Sequence, residues 1–259
     1  MSKNKIPKKI HYCWFGSSEL PISVKKCIDS WKEKCPDYEI IQWNETNYDV
    51  TKNRYMYEAY KQKKWGFVPD YARLDIIYTH GGIYLDTDVE IIKSLDLLLQ
   101  NEMFVGLENN YVALGLGFGG TKGNIHLFKM MQQYNEISFI NEDGNLNLTP
   151  SPRYTTEYFQ RLGMENENRI QCVKGVSIYP TEYFCPKNFL TGELHITNNT
   201  YSIHHYDASW WGEKEKKEYE KQVKLREKNI WLWRIHNGIS VLKKEGVKVL
   251  INKIRNMKE

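Results

Sequence analysis

The chain has 259 residues, 41% of them hydrophobic and 26% charged, with a formal net charge of +4. This length suits one large domain, or one domain with an appendix, and the near-balanced charge excludes a general nucleic-acid role. Five cysteines (Cys13, Cys27, Cys35, Cys172 and Cys185) form no Cys-x-x-Cys pair, so reduced thiols and a cytoplasmic setting are expected. No apolar stretch after Met1–Lys5 has the length of a signal segment, and none reaches the span of a membrane-crossing helix.

Taken in order, Ile6–Gly16 reads as a first strand opened by Pro7 and closed by Gly16. Leu20–Lys34 reads as a helix with Ile22, Val24, Ile28 and Trp31 apolar, and Tyr38–Asn44 as a second strand. Strand, helix, strand is the crossover unit of a parallel sheet, so the fold class is α/β. Arg54–Lys64 and Pro69–His80 read as helices, the second stopped by Gly81 and Gly82. Gly115–Gly120 matches a Gly-x-Gly-x-x-Gly pattern in mid-chain, with no acidic strand end at the required distance. Its glycines read instead as close approach of the backbone to a ligand or another strand. Asn141–Pro152 reads as a polar loop, Arg153–Leu162 as a helix, Ser177–Pro186 as an aromatic strand or loop, and Tyr201–Tyr206 as a late strand. Residues 213–259 hold 14 basic against 7 acidic residues, a basic extension on a mildly acidic body of residues 1–212.

The segment Gly81–Ile91 carries the most chemistry. Ile83, Leu85, Val89 and Ile91 alternate with Tyr84, Asp86, Asp88 and Glu90, which reads as one strand with an apolar face. On such a strand Asp86 and Asp88 project from one face, about 7 Å apart. Two carboxylates that close repel each other unless a cation or hydrogen bonds relieve them, and a hard divalent ion holding a diphosphate is the simplest such cation. The plainer alternative is a solvated strand end.

Asp70 and Arg73 lie three apart at the start of their helix and share a face, a short distance in sequence from Asp86. An Asp accepting from sugar hydroxyls beside an Arg neutralising phosphate suits a sugar nucleotide; a surface ion pair is the alternative. His204 and His205 come far downstream, followed by Ser209 and Trp210. A neutral imidazole can complete a coordination sphere begun by carboxylates. Trp14 falls at the C-terminal end of the first strand, where α/β sheets bind ligands, and either stacks on a base or packs in the core.

Together these blocks, Ile6-Pro7-Lys8-Lys9-Ile10-His11-x-x-Trp14, Asp70-x-x-Arg73, Gly81-Gly82-Ile83-Tyr84-Leu85-Asp86-x-Asp88 and His204-His205-x-x-x-Ser209-Trp210, resemble family 32 glycosyltransferases. That group includes bacterial capsule and O-antigen transferases and a yeast α-1,6-mannosyltransferase. The family's Thr-Gly-Pro element is present only as Thr149-Pro150-Ser151-Pro152. The resemblance implies a GT-A fold over residues 1–212, Mn2+ or Mg2+, a UDP-linked donor, and retention of configuration by same-face attack. It implies a saccharide or lipid-linked acceptor in bacterial surface polysaccharide synthesis. By the same resemblance Trp14 stacks on the base, and Asp70 and Arg73 hold the donor sugar. Asp86 contacts ribose and metal, Asp88 is the main metal ligand, His205 is preferred over His204 as a further ligand, and Ser209 and Trp210 fold over the diphosphate. The aromatic stretches Tyr179–Phe184 and Ser209–Trp211 are candidates for a lid.

The same carboxylates also suit a metal-dependent sugar-nucleotide hydrolase or nucleotidyltransferase, told apart by its products. In residues 229–259, Leu232, Ile235, Ile239 and Leu242 recur at helical spacing, flanked by Trp231, Trp233 and several lysines. That pattern fits peripheral attachment to an anionic membrane, or packing against the catalytic domain or a second subunit.

Overall fold

The computed structural model describes residues 5–189 and 191–206. Strand β1 (Lys9–Cys13), helix α1 (Ile22–Lys34) and strand β2 (Glu39–Trp43) form the expected crossover, with β1 and β2 parallel from Lys9↔Glu39 to Cys13↔Trp43. In α1 the buried residues Val24, Cys27, Ile28 and Trp31 follow the helical period, and the Trp31 indole donates to the Val89 carbonyl at 2.7 Å. Helix α2 (Arg54–Lys61) is capped by Asn53, whose side chain accepts from the Met56 amide at 3.1 Å. Helix α3 (Val68–His80) carries Pro69 in its first turn and stops at Gly81, φ +66°, whose amide donates to Ile77 at 2.8 Å. Then come β3 (Gly82–Tyr84), β4 (Val89–Ile91), β5 (Met103–Glu108), β6 (Tyr111–Val112) and β7 (Phe118–Gly120). The order closes with α4 (Ile125–Asn135), α5 (Ser151–Arg161), β8 (Gln171–Val173), β9 (Val176–Tyr179), α6 (Thr181–Phe184) and β10 (Ser202–His204).

Among the described residues the main sheet runs β2-β1-β3-β7-β5-β9-β8, with β6 paired to β5. β1 is parallel to β2 and β3, β5 is parallel to β9, and β7 runs antiparallel between β3 and β5. The strands β1, β2, β3, β5 and β9 therefore point the same way, and their C-terminal ends share one edge. Alternation along the strands feeds two cores. Ile10, Ile83 and Phe104 pack with Trp31 and Phe184, while Tyr84, Val105 and Phe118 pack with Tyr55, Ile77 and Phe159. The α/β class expected from the sequence is the observed one.

The chain from Ile83 to Ile91 is not one strand, as its alternation suggests. The Leu85 amide donates to the His11 carbonyl at 3.1 Å and the Asp86 amide to Gly115 at 3.1 Å, so the ladder ends there. Asp86 to Val89 then form a turn, closed by the Val89 amide on the Asp86 carbonyl at 3.2 Å. β4 pairs antiparallel with β10 in a separate two-stranded sheet. Alternation cannot reveal this break, because the residues on both sides of the turn are buried with the same period. Asp86 and Asp88 consequently belong to a turn at the sheet edge, not to one strand face.

Candidate functional site: a carboxylate turn at the sheet edge

Asp70 and Arg73 occupy the first turns of α3 and are 4% and 5% exposed, which rules out a solvated surface pair. One guanidinium nitrogen of Arg73 lies 2.9 Å from Asp70 Oδ1, and the other lies 3.7 Å from Asp86 Oδ2. Arg73 Nε donates to the Pro69 carbonyl at 3.0 Å, fixing the plane of the fork. The Tyr84 hydroxyl donates to Asp86 Oδ1 at 3.0 Å, and the Arg73 guanidinium sits 5.2 Å from the Tyr84 ring centre. Burial alone would weaken the charge on Arg73, but Asp86, Tyr84 and Asp70 around it outweigh that and raise its pKa. Burial pushes the Asp70 carboxyl up to about 6, opposed by Arg73 and by a hydrogen bond from Ser151. Asp75, on the same helix, faces away and pairs with Lys52 at 2.8 Å and the Tyr48 hydroxyl at 2.8 Å.

Gly115 closes the other side of Asp86. A Cβ there would overlap the Asp86 carboxylate and come within 3.4 Å of Arg73 Nη1. The glycine-rich segment thus serves close backbone approach: Gly115 to Asp86, and Gly119 to Phe104, whose ring a Cβ would meet at 2.5 Å.

The two histidines divide differently from the sequence preference. β10 pairs with β4 in the register His204↔Val89, so adjacent residues point to opposite sides. His204 Nε2 lies 3.3 Å from Asp88 Oδ1, whereas His205 Nε2 lies 2.7 Å from Glu90 Oε2. The His205 backbone amide donates to the Asp88 carbonyl at 2.9 Å. Of the two rings, His204 is the one beside Asp88 in this structure. Burial opposes the charge on His204, but Asp88 outweighs it and raises its pKa well above the usual imidazole value.

Trp14 directly follows β1 and is half-buried; its amide donates to Trp43 and its indole to the Ser18 carbonyl at 2.8 Å. Tyr179 and Tyr183 stack at 4.8 Å and, half-buried, pack against the core that holds Phe184 and Phe104. Ser209, Trp210, Trp211 and the extension 213–259 lie outside the described residues. Tyr84 and Ser151 had no assigned role in the sequence reading, and Gly115 was read only as a point of close backbone approach. Tyr84 and Ser151 stood inside the quoted motifs, but only the fold brings their hydroxyls to Asp86 and Asp70.

A cation fits this turn by its chemistry. Two carboxylates at one edge supply hard oxygen ligands, and the His204 ring stands 3.3 Å from Asp88 Oδ1. Among the described residues no three His, Cys, Asp or Glu side chains converge on one point, so remaining ligands would come from a bound diphosphate or water.

Known proteins share parts of this chain. It is 30% identical over 152 residues to inositol phosphoceramide mannosyltransferase 3 of Schizosaccharomyces pombe, covering 52% of this chain and 38% of that protein. It is 28% identical over 112 residues to the subversion of eukaryotic traffic protein A of Legionella pneumophila, covering 33% of this chain and 17% of that protein. The chain thus spans well under half the length of these relatives. Among solved structures, the PaToxG glycosyltransferase superposes with TM-score 0.44 at 18% identity, covering 61% of this chain and 69% of that one. Residues 21–105, which contain Asp70, Arg73, Asp86 and Asp88, match the family described as the glycosyltransferase sugar-binding region containing a DXD motif.

Proposed function

We propose that the chain is a GT-A glycosyltransferase that uses a divalent cation, Mn2+ or Mg2+, to transfer a hexose from a nucleotide sugar to a saccharide or lipid-linked acceptor. The observation that carries the reading is the buried Asp70–Arg73–Asp86 network opening onto the Asp86–Asp88 turn, within the matched sugar-binding region. Asp86 and Asp88 would hold the cation, with His204 beside them. When bound, the ion neutralises charge on the departing diphosphate. Arg73 orients Asp86 and offers its fork toward the donor, Asp70 accepts from sugar hydroxyls, and Trp14 offers a ring to the base. The donor we favour is UDP-linked, the outcome retention, and the setting bacterial surface polysaccharide synthesis; these rest on the motif resemblance. The mannosyltransferase named among the relatives makes a mannose-bearing donor the rival to test.

The basic extension suggests a place of work. Trp231, Trp233 and the lysines of residues 229–259 suit peripheral attachment to the inner face of the plasma membrane, each cation adding about 1 kcal/mol at an anionic surface. Among the described residues no helix is long and apolar enough to cross a membrane. Sedimentation with anionic vesicles checks this: binding at low salt that is lost on deleting 229–259 supports it, and equal sedimentation of both proteins removes it.

The decisive experiment incubates the full chain with UDP-glucose, UDP-galactose, UDP-N-acetylglucosamine or GDP-mannose, with Mn2+ or with chelator. Metal-dependent release of nucleoside diphosphate from one donor, rising with a saccharide acceptor, is expected. Release of pyrophosphate would favour the nucleotidyltransferase reading, and full activity in chelator would remove the metal.

A further inference from the structure

His11 lies outside the site but beneath its joint. We propose that His11 is a positioning residue that locks the helix α3–strand β3 connection and through it sets Arg73 against Asp86. This rests on the reading of Arg73 and Asp86 as donor-binding groups.

The ring is fully buried in the middle of β1. Its Nε2 lies 2.9 Å from the Gly81 carbonyl, and its Nδ1 lies 3.1 Å from Trp43 Nε1. An indole N–H only donates and a carbonyl only accepts, so both partners select one tautomer: Nδ1 accepts from Trp43 and Nε2–H donates to Gly81. Burial keeps the imidazole neutral, with its pKa lowered to about 4. Trp43 and His80 stack around it at 6.0 and 6.1 Å, so the ring has little freedom to turn.

The backbone of His11 grips the same joint from its other end. Its carbonyl accepts from Leu85 at 3.1 Å, one residue before Asp86. Gly81 stands between helix and strand and Gly82 opens β3, at φ +66° and +117°. A Cβ on Gly82 would lie 2.8 Å from His11 Nε2 and 2.9 Å from the Lys9 carbonyl, so the imidazole occupies the space the missing side chain leaves. Two left-handed glycines are a swivel unless something pins them. The Gly81 carbonyl is pinned by the ring and Leu85 by the backbone of the same residue. Arg73 hangs from the helix side of that swivel and Asp86 from the strand side, 3.7 Å apart. Misplacement of such groups by about 1 Å costs on the order of a hundredfold in rate.

A buried histidine that merely fills the core would be replaceable by any side chain of like bulk. The test compares His11→Gln, which keeps a side-chain N–H, with His11→Met, which has similar bulk and none. Trp43→Phe keeps a ring but removes the donor that selects the tautomer. Amide hydrogen exchange over residues 81–86 is read against α1, beside kcat/KM for the nucleotide sugar that wild-type protein consumes. In His11→Met, exchange at 81–86 is expected to rise about tenfold relative to α1. Its kcat/KM is expected to fall by about tenfold to a hundredfold. His11→Gln should recover most of both, and Trp43→Phe should fall between. Unchanged exchange at 81–86 in folded His11→Met, or equal loss in the Met and Gln variants, overturns the proposal. If His11→Met does not fold, unchanged exchange at 81–86 in Trp43→Phe overturns it. If wild-type protein consumes no nucleotide sugar, the functional reading fails while the exchange comparison still decides the joint.

Discussion

Arg73 Nη1 stands 3.7 Å from Asp86 Oδ2 while Nη2 of the same guanidinium stands 2.9 Å from Asp70 Oδ1. One buried cation thus bridges two carboxylates, one inside the helix and one at the open edge. A point charge cannot serve both directions. Arg73→Lys is expected to lower kcat/KM by about tenfold or more with the fold retained. Arg73→Ala leaves buried carboxylates without a partner and is expected to destabilise by about 3–5 kcal/mol. Chemical denaturation beside donor-consumption assays checks both; a Lys variant with wild-type kcat/KM would remove the need for the fork.

Gly115→Ala tests the contact on the other side of Asp86. Gly115 does not have a left-handed φ, so alanine adds steric overlap with the carboxylate without backbone strain. The expected result is a folded protein whose Mn2+-dependent UDP binding weakens by about tenfold, a size common when the supports of a metal ligand are lost. Calorimetric titration of UDP with Mn2+ measures it, and unchanged affinity would mean that Asp86 has room to move.

His204 and His205 should separate cleanly. His204 faces Asp88 and His205 faces Glu90. The Mn2+ concentration for half-maximal activity is therefore expected to shift by about tenfold in His204→Ala and little in His205→Ala. The opposite order would restore the preference drawn from the sequence. Asp88→Asn is expected to abolish metal-dependent binding.

Asp70 predicts a pH dependence. Its folded carboxyl is raised from 3.8 to about 6, chiefly by burial. The folded state then holds the proton more tightly than the unfolded chain. Its contribution to stability is fully present below pH 3.8 and lost as pH rises through about 6. In the proposed role the ionised form accepts from sugar hydroxyls, so turnover is expected to rise through the same window. Asp70→Asn is expected to remove this component from stability curves measured between pH 4 and 7 and to flatten the acid limb of activity; an unaltered acid limb would assign it to another group.

Trp31 is fully buried and its indole donates to the Val89 carbonyl, tying α1 to the strand that follows the carboxylate turn. Trp31→Ala is expected to cost about 3–5 kcal/mol. Trp31→Phe keeps most of the packing and loses the hydrogen bond, about 1 kcal/mol. Urea denaturation distinguishes the two.

The sequence by itself determined the α/β class, the first crossover unit, a helix over Pro69–His80 with its glycine stop (observed from Val68), and the nearness of Asp70 and Arg73 to Asp86. Those are local matters: apolar period, capping residues and short spacing along the chain set them. Tertiary structure decided what depends on partners distant in sequence. It ended the strand at Leu85, because the Leu85 and Asp86 amides find their acceptors in His11 and Gly115. It gave Asp88 to His204 and Glu90 to His205, because the register of β10 on β4 fixes which side each ring takes. It also buried Phe184 in the core and packed Tyr179 and Tyr183 against it, which aromatic composition could not reveal, because the neighbours Phe104 and Tyr201 are distant in sequence.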